Sequence, residues 1–251
     1  MTEARVYELD AGYPSPFPML LAGFQKMTLI DYPGKIATTV FTVGCNFRCP
    51  FCHNPELVEL TPDAVASFKD GEKTFFDFLE NRKGKLDGVC ITGGEPTAQK
   101  DIVPFIRKIK KMGFSVKLDS NGTRPEILEE VFRDGLVDYI AMDIKNGIDR
   151  YSETTRVSVD EDKIRKSISL TMESGIPYEF RTTVVPGIHT EADFDGIATL
   201  IRGARAYYLQ EFRDMTILDP RLKESAKGKT VDLEKVAERM RKAVKVVGIR
   251  K

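Results

Sequence analysis

The segment GCNFRCPFCHNP places Cys45, Cys49 and Cys52 in a C-x3-C-x2-C array. Three of the chain's four cysteines therefore fall within eight residues. Four cysteines are too few for a disulfide scaffold, and such crowding suggests a metal centre. A loop of this size can wrap its thiolates round one soft metal group. Three thiolates on a four-iron cube leave one iron open to a substrate, so a [4Fe–4S] cluster fits the spacing. A structural zinc site wants four ligands, usually as two pairs distant in sequence, and the fourth would have to be His53, directly beside Cys52. The remaining cysteine, Cys90, lies in the apolar run DGVCIT and reads as a small buried hydrophobe.

Further polar groups recur at the ends of apolar runs. Thr92-Gly93-Gly94-Glu95-Pro96 combines two glycines, which allow close backbone approach to a ligand, with a carboxylate that could hold a cationic amine. In isolation it would also serve as an ordinary turn. Lys117 with Asp119, and Asp143 with Lys145, are spaced two residues apart on expected strands, so each pair shares a face. Solvated ion pairs and ligand contacts both satisfy that pattern. Arg181, in EFRTTVVPG, can be a site-lining cation or a partner in a structural ion pair.

These residues need elements to carry them. From residue 36 onward, short apolar or β-branched runs alternate with stretches of helical period, the pattern of repeated βα units round a parallel sheet. The pattern predicts strands over 36–43, 87–92, 114–119, 138–144, 178–185 and 206–211. Helices are predicted over 62–80, 101–112, 125–135, 160–174 and 191–202. Thr61-Pro62 offers an N-cap and a proline at the first helical position, while Thr123 with Glu126 and Thr190 with Asp193 form capping pairs. Leu233, Val236, Ala237, Met240, Val244 and Val247 recur at helical spacing and predict a last helix. The first 35 residues, with Pro14, Pro16, Pro18 and Pro33, read as an irregular lead-in ending in the extended piece MTLID.

Composition excludes several classes. The 251 residues carry 38 Lys+Arg against 38 Asp+Glu and are 41% hydrophobic, which argues against a disordered chain and against general phosphate tracking. No nucleic-acid partner is expected. The absence of an 18-residue apolar run, and charges at Glu3, Arg5, Glu8 and Asp10 where a signal peptide would be apolar, predict a cytoplasmic protein without a membrane partner. From Arg221 to Lys251, 11 basic residues face 4 acidic ones, read as a solvated face or a docking surface.

CNFRCPFC resembles the cluster motif of the radical S-adenosylmethionine (SAM) enzymes, and its flank HNPEL is similar to the glycyl-radical-enzyme activating enzymes, especially activators of anaerobic ribonucleoside-triphosphate reductase. The resemblance spans roughly residues 24–213. It implies an α/β fold with a partial (β/α)6 TIM-like barrel over 36–213, the lead-in over 1–35 and a C-terminal helical extension over 214–251 packed on the barrel. It implies that the open iron chelates SAM, whose one-electron reduction yields methionine and a 5′-deoxyadenosyl radical. Gly93, Gly94 and Glu95 then match the motif for the SAM amino group. Asp119 and Ser120, followed by Asn121, match contacts to the ribose or a nearby cation, and Asp143 with Lys145 manages the carboxylate. Phe51 stands where the family sets an aromatic against adenine. Arg181 lines the site, and Gln210 occupies the strand end where related activators place a SAM-holding histidine. Asp31, in TLIDYPGKI, matches an aspartate that meets the substrate peptide, and His53 and Asn54 also match that subfamily.

The resemblance implies abstraction of a glycine α-hydrogen from a partner glycyl radical enzyme, with flavodoxin or ferredoxin as electron donor. Auxiliary ferredoxin-type clusters would need about eight further cysteines, and only Cys90 is to spare. Two alternatives accompany it. One is radical SAM chemistry on a small molecule or nucleotide, as in the similar 7-carboxy-7-deazaguanine synthases. The other is a zinc-binding interaction module built on Cys45, Cys49, Cys52 and His53.

Overall fold

Strands and helices alternate along the chain as the periodicity requires. The computed structural model describes residues 19–58, 71–213 and 215–251. The strands are β1 (Leu21–Thr28), β2 (Ala37–Thr42), β3 (Gly88–Gly93), β4 (Ser115–Ser120), β5 (Tyr139–Asp143), β6 (Tyr178–Val184), β7 (Ala206–Glu211) and β8 (Val246–Arg250). Between them lie α1 (Gly71–Glu80), α2 (Ile102–Lys111), α3 (Pro125–Arg133), α4 (Tyr151–Thr155), α5 (Glu161–Glu173), α6 (Asp193–Leu200), α7 (Arg221–Ala226) and α8 (Leu233–Met240). The six predicted strands are β2 to β7. The predicted helices are α1, α2, α3, α5 and α6; the Thr61-Pro62 cap and the first part of the 62–80 helix lie outside the described residues. Among the described residues no helix is long and apolar enough to cross a membrane.

Local chemistry accounts for the helices. In α2, Ile102, Val103, Phe105, Ile106 and Ile109 are buried along one face, and Lys108, Lys110 and Lys111 occupy the last turn, where the helix dipole favours cations. Asp160 and Asp232 cap α5 and α8, each carboxylate accepting two backbone N–H bonds of the first turn. Before α6, Asp193 Oδ2 accepts from the Thr190 backbone N–H and hydroxyl, which ties the preceding turn, but the N-cap position is Ala192 and no side chain caps the helix, so the predicted capping pair forms a turn contact instead.

The chain forms two compact units. One contains the chain up to Asn46, Glu56–Ser120 and Glu129–Tyr139; the other contains Phe47–Pro55, Asn121–Leu128 and Ile140–Lys251. In the first, β1 runs antiparallel to β2, and β2, β3 and β4 are parallel neighbours with Thr39 opposite Cys90 and Cys90 opposite Lys117. In the second, β5, β6, β7 and β8 are parallel neighbours in that order. Val40, Val89, Ile91, Val116 and Leu118 fill one core, and Ile140, Met142, Phe180, Tyr207 and Leu209 the other.

Two elements depart from the sequence reading. The lead-in holds a full eight-residue strand, β1, rather than only a short extended piece. At the other end the helix stops at Met240, and Val247, expected on its face, lies in β8 beside Tyr207. Arg250 secures that strand by two 2.7 Å bonds to the buried Glu179 of β6, and its guanidinium lies 3.7 Å over the Tyr208 ring of β7. Part of the basic C-terminal excess is likewise engaged: Lys235 pairs with Glu191 and Arg239 with Asp195.

Candidate functional site

The first unit carries the predicted residues of β1 to β4. Asp31 follows β1, and its Oδ2 accepts a 2.6 Å hydrogen bond from Thr39 Oγ1 of β2. Thr39, on an alternating strand without a motif, was missed by sequence reasoning. At the end of β3, Gly93 and the following Gly94 serve backbone packing. A Cβ on Gly93 would lie 2.4 Å from Thr42 O and one on Gly94 2.1 Å from Gly44 O, so no side chain fits. The close approach they permit is to the segment leading into Cys45, with Gly94 N–H bonded to Thr42 O at 2.9 Å and Glu95 N–H to Gly44 O at 2.8 Å. Glu95 is 1% exposed, and its Oε1 accepts from Thr97 N–H, Thr97 Oγ and Ser120 Oγ at 2.5–3.0 Å.

Lys117 and Asp119 share a face of β4 and form an ion pair. Lys117 is 2% exposed, and its ammonium also lies 3.6 Å from Cys90 Sγ. Of the two sequence readings, a solvated rim pair does not describe it, because Lys117 is buried. Cys90 is buried as predicted, but with a cation against its sulfur.

The second unit carries the cluster loop from Phe47 and the ends of β5 to β7. Cys52 N–H bonds to Cys49 O at 3.0 Å, closing a turn between two of the thiols. Asp219 N–H to Pro50 O and Leu218 N–H to Cys52 O hold the loop's backbone, and Arg48 N–H bonds to Thr155 O. Cys49 is buried, whereas Cys45 and Cys52 are half-buried. Burial pushes the Cys49 thiol up to about 11, with the Lys145 charge pulling the other way. Among the described residues no three His, Cys, Asp or Glu side chains converge as round a single ion.

The β5 end is a charged cluster. Asp143 Oδ1 accepts from Arg181 Nε and Nη2 at 2.9 Å, and Oδ2 accepts from Lys145 Nζ at 2.9 Å. Burial alone would raise the Asp143 pKa, but the Arg181 and Lys145 charges outweigh it and hold the carboxyl well below the usual range. Lys145 is held protonated by the Asp143 carboxylate against its own desolvation. Of the two sequence readings for Arg181, the structure shows the ion pair.

The remaining predicted residues are placed by local contacts. Phe51 is buried with its ring 6.3 Å from that of His189 at 64°. His53 stacks on Phe212 at 5.4 Å, and its Nε2 lies 3.1 Å from Arg213 O. Asn54 is half-buried in the same loop. Asn121 Oδ1 accepts from Thr123 N–H and Oγ1, so Thr123 is engaged in this turn. Gln210 is half-buried on β7, opposite Thr183 and Arg250.

The sequence model of the Radical SAM superfamily matches residues 39–201, a span that includes all three clustered cysteines, the GGEP turn and the β5 charges. The chain belongs to the radical SAM superfamily. A Methanocaldococcus jannaschii protein whose name places it with the glycyl-radical enzyme activating enzymes is 34% identical over 92% of this chain and 95% of its own length. The pyruvate formate-lyase-activating enzyme of Listeria monocytogenes is 35% identical over 48% of this chain and 51% of its own. Streptococcus suis SuiB bound to S-adenosylmethionine superposes with a TM-score of 0.59 at 14% identity, over 83% of this chain and 48% of that one. That likeness concerns the fold, and the α/β class expected from the βα pattern is the one observed.

For a radical SAM enzyme the donor set is chemically apt. Its cluster needs soft thiolate ligands, and this chain carries three thiols within eight residues of sequence. A buried thiol such as Cys49 resists ionisation unless a cation compensates. Iron would supply that compensation, and Lys145 already contributes in the same direction.

Proposed function

We propose that this radical SAM enzyme activates a glycyl radical enzyme by removing one hydrogen atom from a glycine of that partner. The observation that carries this reading is end-to-end similarity to the M. jannaschii protein, over 92% of this chain. When bound, the cluster and SAM supply one-electron cleavage of the sulfonium and a 5′-deoxyadenosyl radical, which takes the glycine hydrogen.

The chain's own residues bind, orient and shield. Cys45, Cys49 and Cys52 would hold the cluster through their thiolates and leave it open to SAM. Glu95, anchored through Oε1, receives the amino group. Lys145, kept protonated by Asp143, offers a point charge to the carboxylate, and Arg181 shares the Asp143 charge. Asp119, Ser120 and Asn121 serve the ribose, while Phe51 and Gln210 serve the adenosine. Asp31, oriented by Thr39, meets the backbone of the incoming peptide. His53 and Asn54 support the cluster loop. No side chain is needed as acid or base, because the transferred species is a hydrogen atom.

A macromolecular substrate suits the surface round Asp31. Four of the six exposed large hydrophobic residues named among those described, Met27, Leu29, Ile30 and Ile36, fall within ten residues of chain that include it, with Ile30 87% exposed. Such concentration marks an interaction surface rather than scattered exposure. Flavodoxin or ferredoxin is proposed as the reductant, and an anaerobic ribonucleoside-triphosphate reductase is the first partner to try.

The test is anaerobic reconstitution with iron and sulfide, reduction, and electron paramagnetic resonance with and without SAM and partner. The expected result is a [4Fe–4S]+ signal that changes with SAM, 5′-deoxyadenosine in the product mixture, and a glycyl radical on the partner. SAM cleavage coupled to a nucleotide or other small molecule, with no glycyl radical on any partner, would overturn the activase reading. Stoichiometric zinc and no cluster would overturn the enzyme chemistry altogether.

A further inference from the structure

The chain has two histidines, and only His53 belongs to the cluster loop. His189 belongs to no motif. It sits in the turn after β6, where Ile188 and His189 N–H both bond to Val185 O, at 3.1 and 2.9 Å. The imidazole folds back on that turn and is 2% exposed. Its Nδ1 accepts a hydrogen bond from Val185 N–H at 3.0 Å, and its Nε2 lies 2.8 Å from Lys145 O.

Those partners determine the proton's position. A backbone N–H can only donate and a carbonyl can only accept, so Nδ1 is bare and Nε2 carries the hydrogen. The ring is the neutral Nε2–H tautomer, and desolvation, which lowers its pKa, favours the same neutral form.

The bond to Lys145 O falls where the sheet no longer provides one. The β5 strand ends at Asp143, and the last contacts from β6 are Ile144 N–H to Arg181 O and Thr182 Oγ1 to Ile144 O at 2.7 Å. Past that point Lys145 is held by His189 on its carbonyl and by Asp143 on its ammonium. The same ring lies 6.3 Å from that of Phe51 and 6.1 Å from that of Phe194.

We infer that His189 is a positioning residue that sets Lys145 and Phe51, the side chains assigned above to the SAM carboxylate and adenine. The inference rests on that functional reading. Its chemical content is separable, because glutamine can both accept from Val185 N–H and donate to Lys145 O, whereas leucine, of similar bulk, can do neither.

Two measurements test it on the full chain. In metal-free protein, imidazole 15N shifts should show the Nε2–H tautomer at neutral pH. Val185 amide exchange should be slow in wild type and His189→Gln and faster in His189→Leu. In reconstituted protein, His189→Leu should weaken SAM binding about tenfold, the effect of about one hydrogen bond. It should raise the KM for SAM with little change in kcat, while His189→Gln stays close to wild type. Val236→Ala, a core truncation in α8, should lower the melting temperature without altering SAM affinity, which separates positioning from general destabilisation.

A cationic or Nδ1-protonated ring, or unchanged Val185 exchange in His189→Leu, would overturn the assignment. If wild type binds SAM and His189→Leu binds it equally well, the inference fails and the functional reading stands. If wild type binds no SAM, both fail together.

Discussion

Replacing Asp143 with asparagine probes the charged cluster most directly, because the side chain keeps its shape and loses only its charge. The carboxylate accepts two bonds from Arg181 and one from Lys145. The three side chains are 29%, 13% and 16% exposed, so the cations left behind would be mostly desolvated. Removing one partner of a buried ion pair costs about 3–5 kcal/mol, and the partial exposure of Asp143 places the expected loss near about 3 kcal/mol. For a chain of this size that corresponds to a fall of roughly 6–12 °C in melting temperature. Urea unfolding of the metal-free protein at pH 7 measures it. The Asp143 pKa is depressed in the folded state, so its contribution is fully present above the unfolded value near about 3.9 and is lost as the pH falls further. The difference between wild type and Asp143→Asn should therefore be full at pH 7 and shrink below about pH 4. A loss under about 1 kcal/mol at pH 7 would mean that water screens the cluster as it does a surface pair. A difference that widened in acid would refute the sign of the coupling.

Three further substitutions examine other contacts. Gly94→Ala would set a Cβ 2.1 Å from Gly44 O, a backbone atom that cannot give way cheaply, so the approach to Cys45 must shift and iron incorporation on reconstitution should drop severalfold; wild-type iron content would sink this account. Arg250→Met removes the guanidinium from Glu179, which is 1% exposed, and should cost about 3–5 kcal/mol by denaturant unfolding. An unchanged midpoint would show that β8 is held by other means. Thr39→Val deletes the bond to Asp31, worth about 1 kcal/mol, and should raise the KM for a glycine-bearing peptide several-fold while Thr39→Ser retains it; equal values for both variants would remove Thr39 from the substrate side.

Much of the candidate site was legible because cluster chemistry is local. Three thiols within eight residues mark a candidate soft metal centre without reference to the fold. The positions of the GGEP turn and of the two acid–lysine pairs at strand ends follow from counting residues along βα units. Alternation placed Lys117 with Asp119 and Asp143 with Lys145 on shared faces, and both pairs form. Which face is buried is not a local property. Lys117 could have been a rim lysine until β3 brought Cys90 opposite it, and Arg181 becomes the partner of Asp143 only through the parallel pairing of β5 with β6.

The amino-acid sequence alone therefore determined the α/β class and six of the eight described strands, and it marked the clustered cysteines and the polar residues at strand ends as candidates, since periodicity and short-range spacing carry that information. Edge strands were beyond it. Val247 suits a helix face as well as a strand, and only pairing with β7, with Arg250 reaching Glu179, selects the strand. Tertiary structure also decided what each charge neutralises, what the GGEP glycines approach, and which groups His189 bonds. That histidine has no neighbouring pattern to reveal it. Its two partners, Val185 and Lys145, are 4 and 44 residues away, and the more distant meets the ring only once β5 and β6 lie side by side.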